Sequence, residues 1–234
     1  MRTATRTRLL GVSGSVVLAT LISACAAADA APNPSPSRDT TGSYSSQMSV
    51  EQFAGIDLDY DPLATPAALA EQSRFVVAGT VERVQEGRVQ IVTANEEAAG
   101  ISTIVLVLRD AKFVLGAAER NSDGFVYVEL PNPGQQEPLA YQDGLRSGAS
   151  VVAYLLPASD GEPADGVDTA IADAKAGRPA GQALYQPVGP QALMLQFEDE
   201  AVVWPLIGEQ REGKLEDTLP SGNLIAPTVV DSPD

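Results

Sequence analysis

The sequence predicts a mainly β protein whose folded part is a small antiparallel β-barrel or sandwich with one or two short helices. Runs of apolar, β-branched residues recur between turn residues along the chain, which is typical of β-strands. These runs follow one another without the helical crossovers that a parallel sheet needs. The chain has 234 residues, of which 44% are hydrophobic and only 5% aromatic. We therefore expect a core built mostly from Val, Leu, Ile and Ala.

A short helix is expected to precede the strands. Thr65 can cap this helix, and Pro66 suits its first position. The dipeptide Glu86-Gly87 is interpreted as a tight turn between the first two strands. The expected strands cover residues 75–84, 88–92, 125–130, 151–156, 184–188, 193–197 and 201–206, together with a run from residue 101 to 108 that Arg109-Asp110 breaks and that ends near residues 114–116.

Composition divides the chain into four parts. Residues 1–24 are interpreted as a signal peptide, and residues 25–49, which are rich in Pro, Ser and Thr, as a disordered tether. The β-barrel domain is expected over residues 50–208. The remaining residues, 209–234, are interpreted as a polar C-terminal tail.

The N-terminus has the features of a secretory signal peptide. Three arginines precede an apolar run at residues 9–22, and no acidic residue occurs before Asp29. A lasting membrane span would need about 20 apolar residues, more than this run supplies. Ala24, Ala26 and Ala28 offer sites for ordinary signal peptidase, whose cleavage would release a soluble protein. An uncleaved anchor is a further alternative.

The only cysteine stands three residues after the end of the apolar run. The segment Ile22-Ser23-Ala24-Cys25 resembles the lipobox of bacterial lipoproteins, in which an aliphatic residue and two small residues precede the cysteine. The resemblance implies that Cys25 is lipidated on its sulfur, becomes the new N-terminus and anchors the protein to the extracytoplasmic face of the cell membrane. Each buried acyl methylene contributes about 0.8 kcal/mol, so two long chains give stable attachment.

The order of motifs in the folded part is similar to that of small OB-like secreted β-barrel domains of Gram-positive bacteria. A helix and a G-T-V strand come first, and L-x-x-G-x-x-V-V-x-Y-L and Y-x-P-V-G-P-Q-A-L segments come later. The resemblance spans roughly residues 61–205 and implies a fold and an exported location, without a settled activity. It is carried by Gly79-Thr80-Val81, Leu145, Gly148, Tyr154-Leu155 and Gly189-Pro190-Gln191.

Composition also excludes several kinds of chemistry. The chain has 15 basic and 31 acidic residues, a net charge of −16, no histidine and one cysteine. Without histidine, neither a Ser-His-Asp nor a Cys-His relay can form, and one chain cannot build a zinc site of the Cys/His kind. Nucleic acid is excluded as a partner because its binding depends on Lys and Arg meeting phosphate. No cofactor is expected.

Three carboxylates at alternate positions, Asp57, Asp59 and Asp61, form a candidate for a weak calcium site. Calcium binds oxygen ligands at such a spacing. However, Pro62 stands where an EF-hand loop needs glycine, and Ala68 replaces the closing glutamate. The alternative interpretation is an acidic lead-in to the helix.

An acidic insertion, residues 158–182, interrupts the predicted domain. Within it, residues 167–176 are expected to form a small helix that ends at Gly177. The carboxylates of this insertion are a second calcium candidate of the same kind. They are Asp160, Glu162, Asp165 and Asp168.

Glu129 is the one acid that the sequence places suitably for carboxylate chemistry, because it lies at the end of an apolar strand. A paired-carboxylate hydrolase would need such an acid and a partner across a cleft. Glu198, Asp199 and Glu200 are better interpreted as a hairpin tip in water. A carboxylate-dependent hydrolase acting on cell-wall material is therefore the alternative function.

Four aromatic residues could form a carbohydrate-stacking face, a role that OB-type barrels serve. The competing interpretation is that they fill the barrel, because they lie within apolar strands. The residues are Tyr154, Tyr185, Phe197 and Trp204.

The function expected from these observations is that of a lipid-anchored, non-catalytic binding or interaction module of the cell envelope. Its partners would be the membrane, through the lipid, and an envelope protein or glycan. A basic or neutral partner would suit the acidic surface.

Overall fold

Nine β-strands and one short α-helix form the regular structure of the described part of the chain. This computed structural model describes residues 53, 60–94, 97–117, 123–142, 144–158, 168–198 and 201–226. The predicted mainly β fold is confirmed. The helix is α1 (Pro66–Gln72), and 3-10 turns lie at Pro138–Tyr141, Pro190–Ala192 and Leu215–Thr218. The strands are β1 (Phe75–Ala94), β2 (Glu97–Leu115), β3 (Val126–Pro131), β4 (Ser150–Pro157), β5 (Asp168–Ile171), β6 (Leu184–Pro187), β7 (Leu193–Gln196), β8 (Val202–Trp204) and β9 (Glu209–Arg211).

The predicted helix α1 forms, with the predicted cap. The hydroxyl oxygen of Thr65 accepts a hydrogen bond from the backbone N–H of Ala68 at 3.1 Å. Pro66 lies in the first turn, where a missing N–H costs no bond within the helix. The helix ends at Ser73, whose extended backbone leads into β1, and Leu69 is buried against strand residues.

The nine strands of the described residues form one mixed sheet in the order β5-β1-β2-β3-β6-β4-β7-β8-β9. Their pairings are antiparallel except that of β3 with β6, where Tyr127 lies opposite Leu184 in a parallel arrangement. The expectation of a purely antiparallel sheet is wrong here, because the long connection between these strands allows the parallel direction. β1 pairs with β4 as well as with β2. The pairings from β1 through β2, β3, β6 and β4 therefore return to β1.

Alternate residues of the central strands face different apolar clusters. Val77 of β1 belongs to the first core cluster, which is formed by residues of β1, β2, β3, β4, β6 and β7 together with Phe53, Tyr141, Leu145, Ala149 and Leu206. Its neighbour Val76 belongs to the second core cluster. Because both faces are covered, these strands are continuous apolar runs in the sequence. The second core cluster comprises Leu69, Val76, Val152, Tyr154, Ala192, Met194, Val202, Trp204, Leu215 and Ala226.

A β-bulge replaces the predicted turn at Glu86-Gly87, and β1 runs through it without a break. The register with β2 shifts between Glu86 and Val89. A Cβ atom on Gly87 would lie 2.2 Å from the hydroxyl oxygen of Thr103, so a close approach of two strands requires this glycine. The turn prediction is wrong because Gly87 permits the close approach of β2 within a bulged strand instead of forming a turn.

Part of the acidic insertion forms a strand instead of the predicted small helix. β5 pairs antiparallel with Gln90–Thr93 of β1. The β-branched residues Thr169 and Ile171 favour a strand, and the extended end of β1 offers backbone groups that a helix could not satisfy. The helix prediction is therefore wrong for Asp168–Ile171.

The sheet continues beyond residue 208, after which the sequence predicted a polar tail. Glu209–Arg211 is β9, which pairs with β8. Leu215 is buried in the second core cluster, and the hydroxyl of Tyr154 donates to the carbonyl oxygen of Thr218 at 2.5 Å. The predicted boundary thus falls inside the sheet.

Candidate functional site

A buried ion pair joins two strands of the sheet. Arg88 follows the bulge in β1, Glu129 lies in β3, and their side chains are only 1% and 4% exposed. Nε of Arg88 donates to Oε1 of Glu129 at 2.8 Å, and Nη2 donates to Oε2 at 2.5 Å. The contact is bidentate, the geometry in which a guanidinium binds a carboxylate most strongly. The two charges therefore balance each other inside the protein.

Thr103 of β2 completes what we call the Arg–Glu–Thr network: Arg88, Glu129 and Thr103. The Thr103 hydroxyl oxygen lies 2.9 Å from Oε1 of Glu129 and accepts from the backbone N–H of Arg88 at 2.8 Å. It also lies 3.0 Å from the Arg88 carbonyl oxygen. Because a hydroxyl has one proton, it donates either to the carboxylate or to this carbonyl. Three neighbouring strands thus each supply one member of the network.

The alternation of the strands places further side chains beside the network. Gln90 follows Arg88 by two residues in β1, and Ile101 precedes Thr103 by two in β2. Gln90 and Ile101 are directly opposite each other in the antiparallel pair. Residues two apart on a strand, and residues opposite each other across a pair, share a face of the sheet. Arg88, Gln90, Ile101 and Thr103 therefore lie on one face of the sheet. This face borders a cavity.

The cavity beside the network has a volume of about 280 Å³. Thr103, Glu129, Leu130 and Leu206 line it and are buried, whereas Ile101 lines it and is 41% exposed. Most of its wall is apolar. Its volume lies just below the range of about 300–1,000 Å³ that is usual for sites of drug-sized ligands. Its other lining residues are Gln90, Pro131, Gln186, Pro187, Gly189 and Pro190.

The described residues that line this cavity supply one carboxylate, that of Glu129. Glu129 is the only acidic residue among the described residues that line the cavity, and Arg88 binds both of its oxygens. Hydrolysis by paired carboxylates needs a second carboxyl group as base or nucleophile. In the part of the chain that is described, no group of three or more acidic or cysteine residues is arranged to hold a metal ion.

A second cavity, of about 310 Å³, lies between β1, β4 and the 3-10 turn at Leu215–Thr218. Gln196 crosses this region: its Nε2 donates to the carbonyl of Gly213 and its Oε1 accepts from the N–H of Leu215, both at 2.9 Å. Glu216, the one charged residue among its described lining residues, is exposed. The polar groups here hold the C-terminal segment in place, so we assign this cavity to packing.

Most of the predicted lipidation and calcium residues lie outside the described residues. Asp61 is described, and it is exposed at the start of the segment that leads to α1. Asp168 is described as the first residue of β5. The residues outside are Ile22, Ser23, Ala24, Cys25, Asp57, Asp59, Asp160, Glu162, Asp165, Asp199 and Glu200.

The four aromatic residues do not form a stacking face. Tyr154, Tyr185 and Trp204 are at most 1% exposed and lie in the core clusters. Phe197 is partly buried, and the guanidinium of Arg146 lies 5.3 Å from its ring centroid. The stacking hypothesis is wrong because both faces of these strands are covered, and the interpretation as core residues is confirmed. Burial also raises the pKa of Tyr154.

Sequence reasoning identified Glu129 but missed Arg88 and Thr103. A charged residue next to glycine within the apolar strand segment V-Q-E-G-R-V-Q-I-V is the signal that could have marked Arg88. No signal marks Thr103, which lies 15 residues away and meets Arg88 only through the bulge.

No family model, no curated protein and no solved structure matches the chain. Among the helices in the described ranges, none is long and apolar enough to cross a bilayer.

Proposed function

We propose that this chain is an exported, lipid-anchored protein of the cell envelope that serves as a non-catalytic binding module. The signal peptide and the lipobox-like segment ending at Cys25 support the anchor. The apolar cavity beside the Arg–Glu–Thr network supports the binding role, and it is the observation that carries the proposal. The lipid would hold the folded part at the outer face of the membrane.

We also propose that the folded part is an OB-like β-barrel. The support is the circuit of pairings in which β1, β2, β3, β6 and β4 each pair with the next and β4 pairs again with β1. An OB fold is a five-stranded, partly open Greek-key barrel. β7 extends the sheet from β4, and β8 and β9 follow it, so these three strands would be additions to such a barrel.

The charge of the chain restricts the partner. With a net charge of −16, the protein repels anionic polymers and attracts neutral or basic ones. An envelope protein or an uncharged glycan segment meets this condition, and nucleic acid does not.

The alternative function is a carboxylate-dependent hydrolase acting on cell-wall material, with Glu129 as its acid. One observation favours it: Glu129 borders the cavity. The test incubates the purified protein and the variant Glu129→Gln with cell-wall fragments and measures the reducing ends released. We expect no release by either protein. Release by the parent that Glu129→Gln abolishes would establish the hydrolase instead.

The anchor is tested by fractionating cells that express the parent, Cys25→Ser or Ser23→Ala. We expect the parent to remain with the membranes and to carry acyl chains on Cys25 by mass spectrometry. Cys25→Ser should lose both properties, whereas Ser23→Ala keeps a small residue at its position and should behave as the parent. An unmodified N-terminus at Ala27 or Asp29 in the parent would contradict the anchor.

A further inference from the structure

We infer that the cavity beside the Arg–Glu–Thr network binds a small, uncharged, mainly apolar molecule that donates one hydrogen bond to Glu129. This inference rests on the proposed function and names the ligand class of the same site. The size, the charge balance and the hydrogen bonding of the cavity each restrict the ligand.

The size of the cavity limits the ligand to a compact molecule. An engineered cavity of about 150 Å³ binds benzene, and this one holds about 280 Å³. A molecule of about a dozen non-hydrogen atoms would fill it on that scale. Leu130, Leu206, Ile101 and three prolines supply most of the wall and offer no polar side-chain groups. The body of the ligand is therefore apolar.

The balance of charges disfavours ionic ligands. A cation would have to compete with Arg88, which is 1% exposed and already binds both oxygens of Glu129. An anion would approach a chain with a net charge of −16 and would find the guanidinium engaged by the carboxylate. Either ion would also lose its hydration on entering the apolar part of the cavity. An uncharged ligand avoids all three costs.

The hydrogen bonds of Glu129 leave at least one acceptor position, on Oε2. A carboxylate offers about four such positions. The contacts of the described residues use two or three of them. Oε1 accepts from Nε of Arg88, and also from the Thr103 hydroxyl at 2.9 Å when that proton does not go to the Arg88 carbonyl. Among the described residues, Oε2 accepts only from Nη2 of Arg88 in either case. A hydroxyl or amide N–H of the ligand would donate a hydrogen bond to the remaining acceptor position on Oε2. The ligand is thus a donor toward Glu129.

Three probes of matched shape test the ligand class. They are para-tert-butylphenol, which has a donor, para-tert-butyltoluene, which has a methyl group in its place, and para-tert-butylbenzoate, which is an anion. Each is titrated into the chain from residue 25 onward carrying Cys25→Ser, so that no detergent is needed to keep a lipid in solution. Methyl NMR spectra report on Leu130, Leu206 and Ile101 during the titration.

We expect the phenol to shift these methyl signals and to bind about tenfold more tightly than the toluene, the effect of one hydrogen bond to a charged acceptor. The benzoate should bind at least about 100-fold more weakly than the phenol, because its charge is not balanced. Equal affinities of the phenol and the toluene, tighter binding of the benzoate, or phenol shifts confined to other methyl groups would each overturn the inference.

Variants locate the binding within the cavity. Leu206→Trp fills it, and Ile101→Trp covers it from a partly exposed position that leaves the core unchanged. The matched control is Leu139→Trp, since Leu139 is 73% exposed and does not line the cavity. We expect both cavity variants to lower the affinity for the phenol by about tenfold or more, and the control to keep it. Unchanged affinity in Ile101→Trp and Leu206→Trp would overturn the inference.

The membrane test of the proposed function is independent of these titrations. A parent protein that stays on the membrane through Cys25 but binds none of the three probes would overturn the ligand class alone. If the protein binds the probes but the Cys25→Ser variant still stays with the membranes, the anchor alone would be overturned.

Discussion

The first and second core clusters lie on opposite faces of β1 and β4 but are built from different parts of the chain. The first consists mostly of strand residues within the apolar runs that the sequence reveals. The second is closed by α1, β8 and residues as far along the chain as Ala226. Strands covered on both faces need two sources of apolar residues. The segment after Gly208 is therefore part of the folded unit rather than an appendage.

Ending the chain at Gly208 should lower the stability of the folded unit the most, because it removes part of the second core cluster. The truncation removes β9, the buried Leu215 and the carbonyl group that accepts from Tyr154. Losing one buried Leu costs about 2–5 kcal/mol and a buried hydrogen bond about 1–3 kcal/mol. We expect the free energy of unfolding in urea to fall by more than about 4 kcal/mol or the cooperative transition to disappear.

The control for the truncation ends the chain at Ala226, which keeps all of these contacts. It should unfold with the midpoint of the full chain. If the chain ending at Gly208 also kept that midpoint, the second core cluster would not depend on the C-terminal segment, and the comparison would fail.

Gly87→Ala tests the close approach of β1 to β2. The new Cβ would lie 2.2 Å from the Thr103 hydroxyl and 2.8 Å from Thr103 backbone atoms, so the strands must move apart. Overpacking of this kind costs about 1–3 kcal/mol, measurable by urea unfolding. Gly189→Ala is the matched control, because its Cβ would meet no atom within 4 Å. Equal stabilities of the two variants would contradict the close approach.

Thr65→Ala should weaken the second core cluster more mildly, through α1. The Thr65 hydroxyl caps the helix that carries Leu69 into this cluster. Loss of such a cap costs about 1 kcal/mol. Thr65→Ser keeps the accepting oxygen and should restore most of the stability. A Thr65→Ala chain with the melting temperature of the parent would show that α1 does not depend on its cap.

A further effect, confined to alkaline pH, concerns Tyr127. Burial and the hydrogen bond to Asp123 raise the pKa of Tyr127 from 10.0 to about 12. The unfolded chain therefore loses this proton first. The contribution of Tyr127 to stability is complete below about pH 10 and is lost as the pH rises toward about 12. Tyr127→Phe should make the unfolding midpoint fall less steeply over that interval, and an unchanged slope would contradict the assignment.

The sequence predicts the strands well because their apolar runs are local signals, and α1 because Thr65 and Pro66 are local signals too. It fails at Gly87, where the same glycine fits a turn or a bulge and only the approach of Thr103 decides. It also fails at Asp168–Ile171, whose structure depends on the free edge of β1. The site could be predicted only as far as Glu129, since the bidentate contact with Arg88 depends on the pairing of three strands.

The coupling of Arg88 and Glu129 beside the proposed binding cavity is tested most directly by a double-mutant cycle with Arg88→Met and Glu129→Leu. Each single variant removes one charge of the pair and leaves the opposite charge buried, so we expect each to lose about 3–5 kcal/mol of unfolding free energy. The double variant leaves no buried charge and should lose less than either single variant. Losses that simply add in the double variant would show that the two side chains are not coupled, and would contradict this account of the site.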